Sequence, residues 1–226
     1  MIRLQLEKRP QHSTLFSVLS PFIALAITAI LGAIMFVMLG KAPHLALYSY
    51  FIEPLTEVWS IHELMIKAAP LILIATGLSV CFLSNNWNIG AEGQFIFGAL
   101  FGSILPVLYP DVTGPIVLPL MLIMGVFGGA AYATIPAFLK VKFNTNEILT
   151  SLMLVYVAQL ILDWLVRGPW RNPEGFNFPE TRSFHTDAVL PEILFSSGRA
   201  HWGFAFAIII AIIMWFILNK TLKGFE

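Results

Sequence analysis

The chain has 226 residues, 58% of them hydrophobic and 12% charged, and its 13 Lys and Arg balance 13 Asp and Glu to a formal net charge of zero. Mean hydropathy is +0.80. Soluble domains carry roughly 25% charged and 45–50% apolar residues, so an ordinary soluble domain and a disordered chain are both excluded. The charge balance gives no footprint for a nucleic-acid partner.

Most of the chain has to sit in lipid, where a helix needs about 20 apolar residues to cross. Residues 15–39 are uncharged and form the first span. A signal peptide has an apolar core of roughly 7–15 residues, so this longer stretch reads as an uncleaved anchor behind Arg3, Lys8 and Arg9. Residues 68–83 and 95–109 are uncharged but short, the former unless 64–67 extend it; 113–139 is long and uncharged; 148–165 carries only Asp163; 202–218 makes the sixth span. The lone cysteine, Cys81, lies within an apolar run and no CxxC motif occurs, so neither an internal disulfide nor a cysteine metal site is available. The expected fold is an all-α polytopic membrane bundle of about six transmembrane helices, forming a single domain over 1–226.

The positive-inside rule sets the orientation. With the N-terminus in the cytoplasm, the inner segments hold Arg3, Lys8, Arg9, Lys140, Lys142, Lys220 and Lys223, against Lys41, Arg167, Arg171, Arg182 and Arg199 in longer outer loops. Trp164, Trp170 and Trp202 then gather at the outer interface. The outer segment 166–201 contains Pro169, Pro173, Pro179 and Pro191, which suit a structured or extended loop rather than a helix.

The most unusual stretch is Asn85-Asn86-Trp87-Asn88-Ile89-Gly90-Ala91-Glu92-Gly93-Gln94, which carries no Lys or Arg and lies between the two shortest spans. One reading is a cytoplasmic turn between two helices. The other is a helix broken within the membrane: Gly90 and Gly93 allow the break, and Asn86, Asn88 and Gln94 offer hydrogen bonds to a polar solute. Irregular backbone at membrane depth survives only where it lines a cavity or is buried in protein, and broken helices mark transporter substrate sites. Glu92 is then a membrane carboxylate, a functional candidate by default. Asp163 with Arg167, and Glu63 with Lys67, have i,i+4 spacing and read as interfacial ion pairs. Gly125, Gly129, Ala133 and Ala137 form one narrow stripe, repeated by Gly98 and Gly102 in the preceding span, and such stripes let helix backbones approach closely. Asn144 with Glu147 fits a capping box opening the fifth span.

Enzymatic readings lack their motifs. There is no GxxxxGK[ST] to cradle ATP phosphates, and His62-Glu63 does not continue to HExxH because position 66 is Ile66. No Gly-x-Ser-x-Gly elbow and no histidine pair with metal-ligand spacing occur. No metal or cofactor is expected, and an intramembrane acid–base enzyme built on Glu92 or Asp163 would lack a nucleophile.

The run Asn86-Trp87-Asn88-Ile89-Gly90-Ala91-Glu92-Gly93-Gln94 resembles the N-x-N-I-G-x-E-G-Q pattern of ABC importer permeases, in the nucleoside and simple-sugar branch of the group that includes ribose and branched-chain amino acid permeases. The likeness continues through Phe143-Asn144-Thr145-Asn146-Glu147-Ile148, Thr150-Ser151-Leu152-Met153-Leu154, Pro179-Glu180-Thr181, Leu190-Pro191 and Trp202-Gly203. The resemblance implies a multi-pass subunit of the bacterial plasma membrane that hydrolyses no ATP itself. It implies a second permease subunit, a cytoplasmic ABC ATPase and an extracytoplasmic solute-binding lipoprotein as partners, with a small polar solute moving along a path lined by Asn86, Asn88, Gly90, Glu92, Gly93 and Gln94. Such permeases are longer, which implies that 1–226 is an N-terminal part of the pattern. A non-transporting scaffold subunit or truncated remnant, held together by its glycine stripes, is the alternative.

Overall fold

The computed structural model describes residues 14–176, 178–193 and 199–221. Arg3, Lys8, Arg9 and Lys223, which carry part of the orientation argument, lie outside the described residues. The elements are α1 (Thr14–Met38), α2 (Pro43–Phe51), α3 (Glu53–Thr56), α4 (Val58–Leu83), α5 (Ala91–Leu108), α6 (Val117–Phe143), α7 (Glu147–Arg167) and α8 (Gly203–Lys220), with a 3₁₀ turn at Thr186–Ala188. Among the described residues no strand longer than an isolated bridge, Glu192 to His201, is present. Among the described residues six helices (α1, α4, α5, α6, α7 and α8) are long and apolar enough to cross a membrane.

The chain divides into two compact units, Met1–Ile61 and His62–Glu226. In the first, α1 stops where Gly40 takes a left-handed φ of +68°. The Lys41 N–H then donates to the Phe36 carbonyl at 2.9 Å, and the Gly40 N–H to that of Val37 at 2.9 Å, which closes the last turn. Pro43 starts α2, a position where its missing N–H costs nothing.

The second unit holds the candidate site. There α5 and α6 run antiparallel at very short range, and α7 packs on both. A Cβ built on Gly98 would lie 3.1 Å from the Gly125 carbonyl oxygen, and one on Gly129 would lie 3.2 Å from that of Gln94. Gly102 meets the Met121 carbonyl at 3.1 Å in the same way. Off the stripe, a Cβ on Gly128 would meet the Phe101 Cβ at 2.5 Å. At the far end of α6, Val117, Met121 and Ala188 form a small buried core with Leu105 and Phe184 against it, and Asp187 Oδ2 accepts from the Gly114 N–H at 2.8 Å. The outward faces are apolar: Leu122, Ile123, Val126 and Phe127 on α6 are all exposed, the inverse of a soluble helix and the pattern that suits lipid.

Three local expectations are corrected. The span expected at 68–83 is a helix from Val58, because Glu63 is carried within it by an ion pair to Arg199 Nη2 at 3.0 Å rather than to Lys67. Its shortness therefore no longer argues for a broken helix. The helix expected from 95 begins at Ala91, so residues 91–94 form its first turn. Asn144 does not cap α7; it ends α6 in a left-handed conformation (φ 52°). The N-cap of α7 is Asn146, whose Oδ1 accepts from the Ile148 N–H at 2.9 Å and the Leu149 N–H at 3.3 Å.

Candidate functional site

The motif residues lie where α4 ends and α5 begins. After Leu83 the backbone turns through Asn85, which takes a left-handed φ of 55°, and residues 86–90 are irregular before α5 starts. Asn tolerates that conformation because its short polar side chain bonds locally; here Asn85 Oδ1 accepts from Trp87 Nε1 at 3.2 Å. The break therefore turns on Asn85. Gly90, at φ −91°, needs no glycine for its conformation.

What Gly90 and Gly93 provide is proximity. A Cβ on Gly90 would fall 2.9 Å from the Ser151 Cβ, and one on Gly93 would fall 3.2 Å from both Tyr132 Cε1 and Val155 Cα. The start of α5 is thereby pressed against α7, one to two turns in from its N-terminus. Ser151 is buried, and its Oγ accepts from the Ile89 N–H at 3.2 Å and donates to the Ile148 carbonyl at 3.2 Å. Tyr132 clamps the other side, donating to the Leu154 carbonyl at 2.6 Å while its ring stacks on Phe97 at 3.8 Å. Near this level α6 continues from Tyr132 to Phe143, about 16 Å of further helix. The Gly93 end of the motif thus lies in from the end of the bundle that carries Lys140 and Lys142, while its Asn86 end reaches Lys140 itself.

The polar side chains of the motif point in different directions. Asn88 and Gln94 face α4 and α6 and pair with each other: Asn88 Nδ2 donates to Gln94 Oε1 at 3.1 Å, and Asn88 Oδ1 accepts from Gln94 Nε2 at 3.3 Å and from the Gly90 N–H at 2.9 Å. This amide pair forms part of the wall of a cavity of about 560 Å³ against Leu73, Gly77 and Cys81 of α4 and Gly129 of α6. It also borders a smaller one of about 170 Å³, reached by Asn86, Ala133, Glu147 and Ser151. Asn86 Oδ1 accepts from Lys140 Nζ at 3.1 Å, and the same ammonium pairs with Glu147 Oε1 at 2.6 Å. The Trp87 backbone N–H also donates to the Glu147 carboxylate. Glu92 lies apart from these amides, exposed beside α7, where its Oε1 accepts from Gln159 Nε2 at 2.8 Å.

Asn86, Asn88, Glu92 and Gln94 each have an intramolecular partner. Asp163 and Arg167 pair at 2.6 Å as their spacing predicts. Lys140, Tyr132 and Gln159 are site residues that motif reading alone does not single out, and Ser151 enters it only as part of the run 150–154. For Gln159 the signal was present, as the single amide within residues 148–165.

Residues 60–226 match the family described as the branched-chain amino acid transport system permease component. Among curated proteins, the chain is 34% identical over its whole length to a glucose ABC transporter permease protein of Haloferax volcanii, covering 61% of that protein. It is 27% identical to a guanosine ABC transporter permease protein of Bacillus subtilis, over 92% of this chain and 60% of the relative. It is 29% identical to a nucleoside ABC transporter permease protein of Lactococcus lactis, over 92% of this chain and 59% of the relative. The chain thus spans about three-fifths of the length of these relatives. No solved structure matches.

Proposed function

The chain belongs to the permease-component family of branched-chain amino acid transport systems, and from that premise we propose that it is a membrane-spanning subunit of an ABC importer for a nucleoside or simple sugar. The observation that carries the reading is the segment 86–94, whose Asn88 and Gln94 amides border a cavity of about 560 Å³ with otherwise apolar walls. That volume falls in the ordinary range for small-molecule sites, about 300–1,000 Å³. A cavity with a few convergent polar groups among apolar walls suits a small polar solute, and irregular backbone beside it suits a transporter site.

The remaining parts of the machine follow from the reading. A second permease subunit completes the path, an extracytoplasmic binding protein delivers the solute, and a cytoplasmic ATPase supplies the energy that no motif in 1–226 can supply. The basic end of the bundle faces the cytoplasm and the chain is a multi-pass plasma-membrane protein. Asn86, Asn88, Gly90, Glu92, Gly93 and Gln94 shape the pathway. The glycines do so by holding α5 against α7, and Gly98, Gly102, Gly125 and Gly129 by holding it against α6, in line with Ala133.

The test is uptake of radiolabelled guanosine, uridine and glucose by cells carrying the full-length gene with its neighbouring transporter genes. Glu92→Ala should abolish uptake while the protein still inserts in the membrane. Uptake at the unmodified rate would overturn the site assignment, and absence of uptake of every nucleoside and sugar in the unmodified strain would overturn the substrate class.

A further inference from the structure

The exposed surface of α7 carries two parallel strips of different chemistry. Met153, Val157, Leu160 and Trp164 recur at spacings of four, three and four and are all exposed, an apolar strip that suits lipid. Beside it Tyr156, Gln159, Asp163 and Arg167 recur at spacings of three, four and four, and all are exposed as well. At 100° per residue these four fall within a strip about 80° wide. Glu92 of α5 joins the strip through its bond to Gln159 at 2.8 Å. The strip turns apolar again at Leu152 on the side of Lys140 and Lys142. A polar track therefore runs from the far end of α7 to its middle and stops at Glu92.

Asp163 and Arg167 form an interfacial pair at the end of α7, but Glu92 and Gln159 pair further in, and a carboxylate within a span faces a water-filled cavity or the bundle interior, not lipid. A dry contact with another subunit suits this strip poorly. Helix contacts in membranes favour small residues, and the Asp163–Arg167 pair, with side chains 58% and 63% exposed, would have to lose its water entirely. We propose that Tyr156, Gln159 and Asp163 line the aqueous approach by which a polyhydroxylated solute reaches Glu92, and that Gln159 with Glu92 contacts its hydroxyls. The chemistry fits that class. Glu92 Oε2 has no protein partner among the described residues and accepts from hydroxyls, the Gln159 amide both donates and accepts, and the Tyr156 ring offers a flat apolar face to a sugar or base. The proposal rests on the permease reading above and assigns to its pathway a face of α7 outside the 86–94 motif.

The experiment uses the full-length importer with its partner subunits in membrane vesicles, with native cysteines replaced. Single cysteines at Tyr156, Gln159 and Asp163 are compared with Met153→Cys, Val157→Cys and Leu160→Cys for reaction with a membrane-impermeant cationic methanethiosulfonate. Polar-strip cysteines should react at least tenfold faster than apolar-strip ones. The reaction at Gln159→Cys should slow severalfold when the binding protein is present with guanosine or glucose, and stay unchanged with leucine. Equal rates on the two strips, or a cysteine at 159 silent until detergent unfolding, would overturn the proposal, as would a disulfide to the partner permease that forms there instead of labelling. Protection by leucine but by no sugar or nucleoside would overturn the solute class. Uptake by unmodified vesicles is measured alongside: if it is absent, the permease reading fails on its own account, while the labelling contrast still reports whether the strip is wet.

Discussion

Gly93 is the position at which the packing argument is most exposed to test. A Cβ there would meet three groups at once, Tyr132 Cε1 and Val155 Cα at 3.2 Å and the Leu154 carbonyl oxygen at 3.3 Å. Comfortable carbon–carbon contact is about 3.5–4.0 Å, so α5 would have to retreat by a few tenths of an ångström or Tyr132 would have to move. Tyr132 is doubly held, by its 2.6 Å bond to the Leu154 carbonyl and by stacking on Phe97. Gly93→Val adds two further methyl groups to that crowding. Overpacking of this kind costs about 1–3 kcal/mol, and at the third residue of a helix the gain from replacing glycine falls short of the roughly 1 kcal/mol seen in helix interiors. For a domain of this size the melting temperature should fall by about 2–12 °C. Gly77→Ala is the matched control: it sits inside α4 with nothing within 4 Å of a built Cβ, so it should leave stability unchanged or raise it. The assay is size-exclusion of a fluorescent-protein fusion in detergent after heating. A Gly93→Val protein that melts with the unmodified one, or a Gly77→Ala protein that falls as far, would refute the close approach of α5 to α7.

Tyr132→Phe removes one hydroxyl that donates to the Leu154 carbonyl and should cost about 1 kcal/mol, read as a fall of a few degrees in the same assay. Asn146→Ala removes the cap that accepts from two backbone N–H groups and should cost about 0.5–2 kcal/mol, whereas Asn144→Ala should act instead through the left-handed end of α6. A double-mutant cycle between Lys140→Met and Glu147→Gln should show a non-zero coupling that shrinks as salt is added, since the pair is partly exposed; additivity would show the pair to be idle. Asn88→Leu should abolish uptake while leaving membrane insertion intact, because it strips the Gln94 amide of both its bonds and leaves it unpaired beside the cavity.

The parts of the fold legible in the sequence are those set by composition and period. Six apolar runs predict six long helices, and glycines four residues apart on 98–102 and 125–129 predict a close helix pair; the positions where an added Cβ would come within 3.1–3.2 Å of a facing carbonyl lie where that spacing points. Boundaries were less legible, for identifiable physical reasons. Glu63 and Lys67 look like a span edge in a local window, but Glu63 is compensated by Arg199 far along the chain, and no local pattern encodes a partner at that separation. Asn144 and Asn146 are equally plausible caps from composition, and the choice is made by the left-handed turn that ends α6 just before α7 begins. The motif shows the same limit more sharply. Its residue types announce a polar site, yet adjacent positions on a helix point about 100° apart, so Glu92 and Gln94 face different neighbours, Gln159 on α7 and Asn88 at the cavity wall. A sequence motif marks where polar groups are concentrated. Which of them share a surface is decided by the helices packed on either side, and here that divides one motif between an amide-lined cavity and a carboxylate on an exposed polar strip.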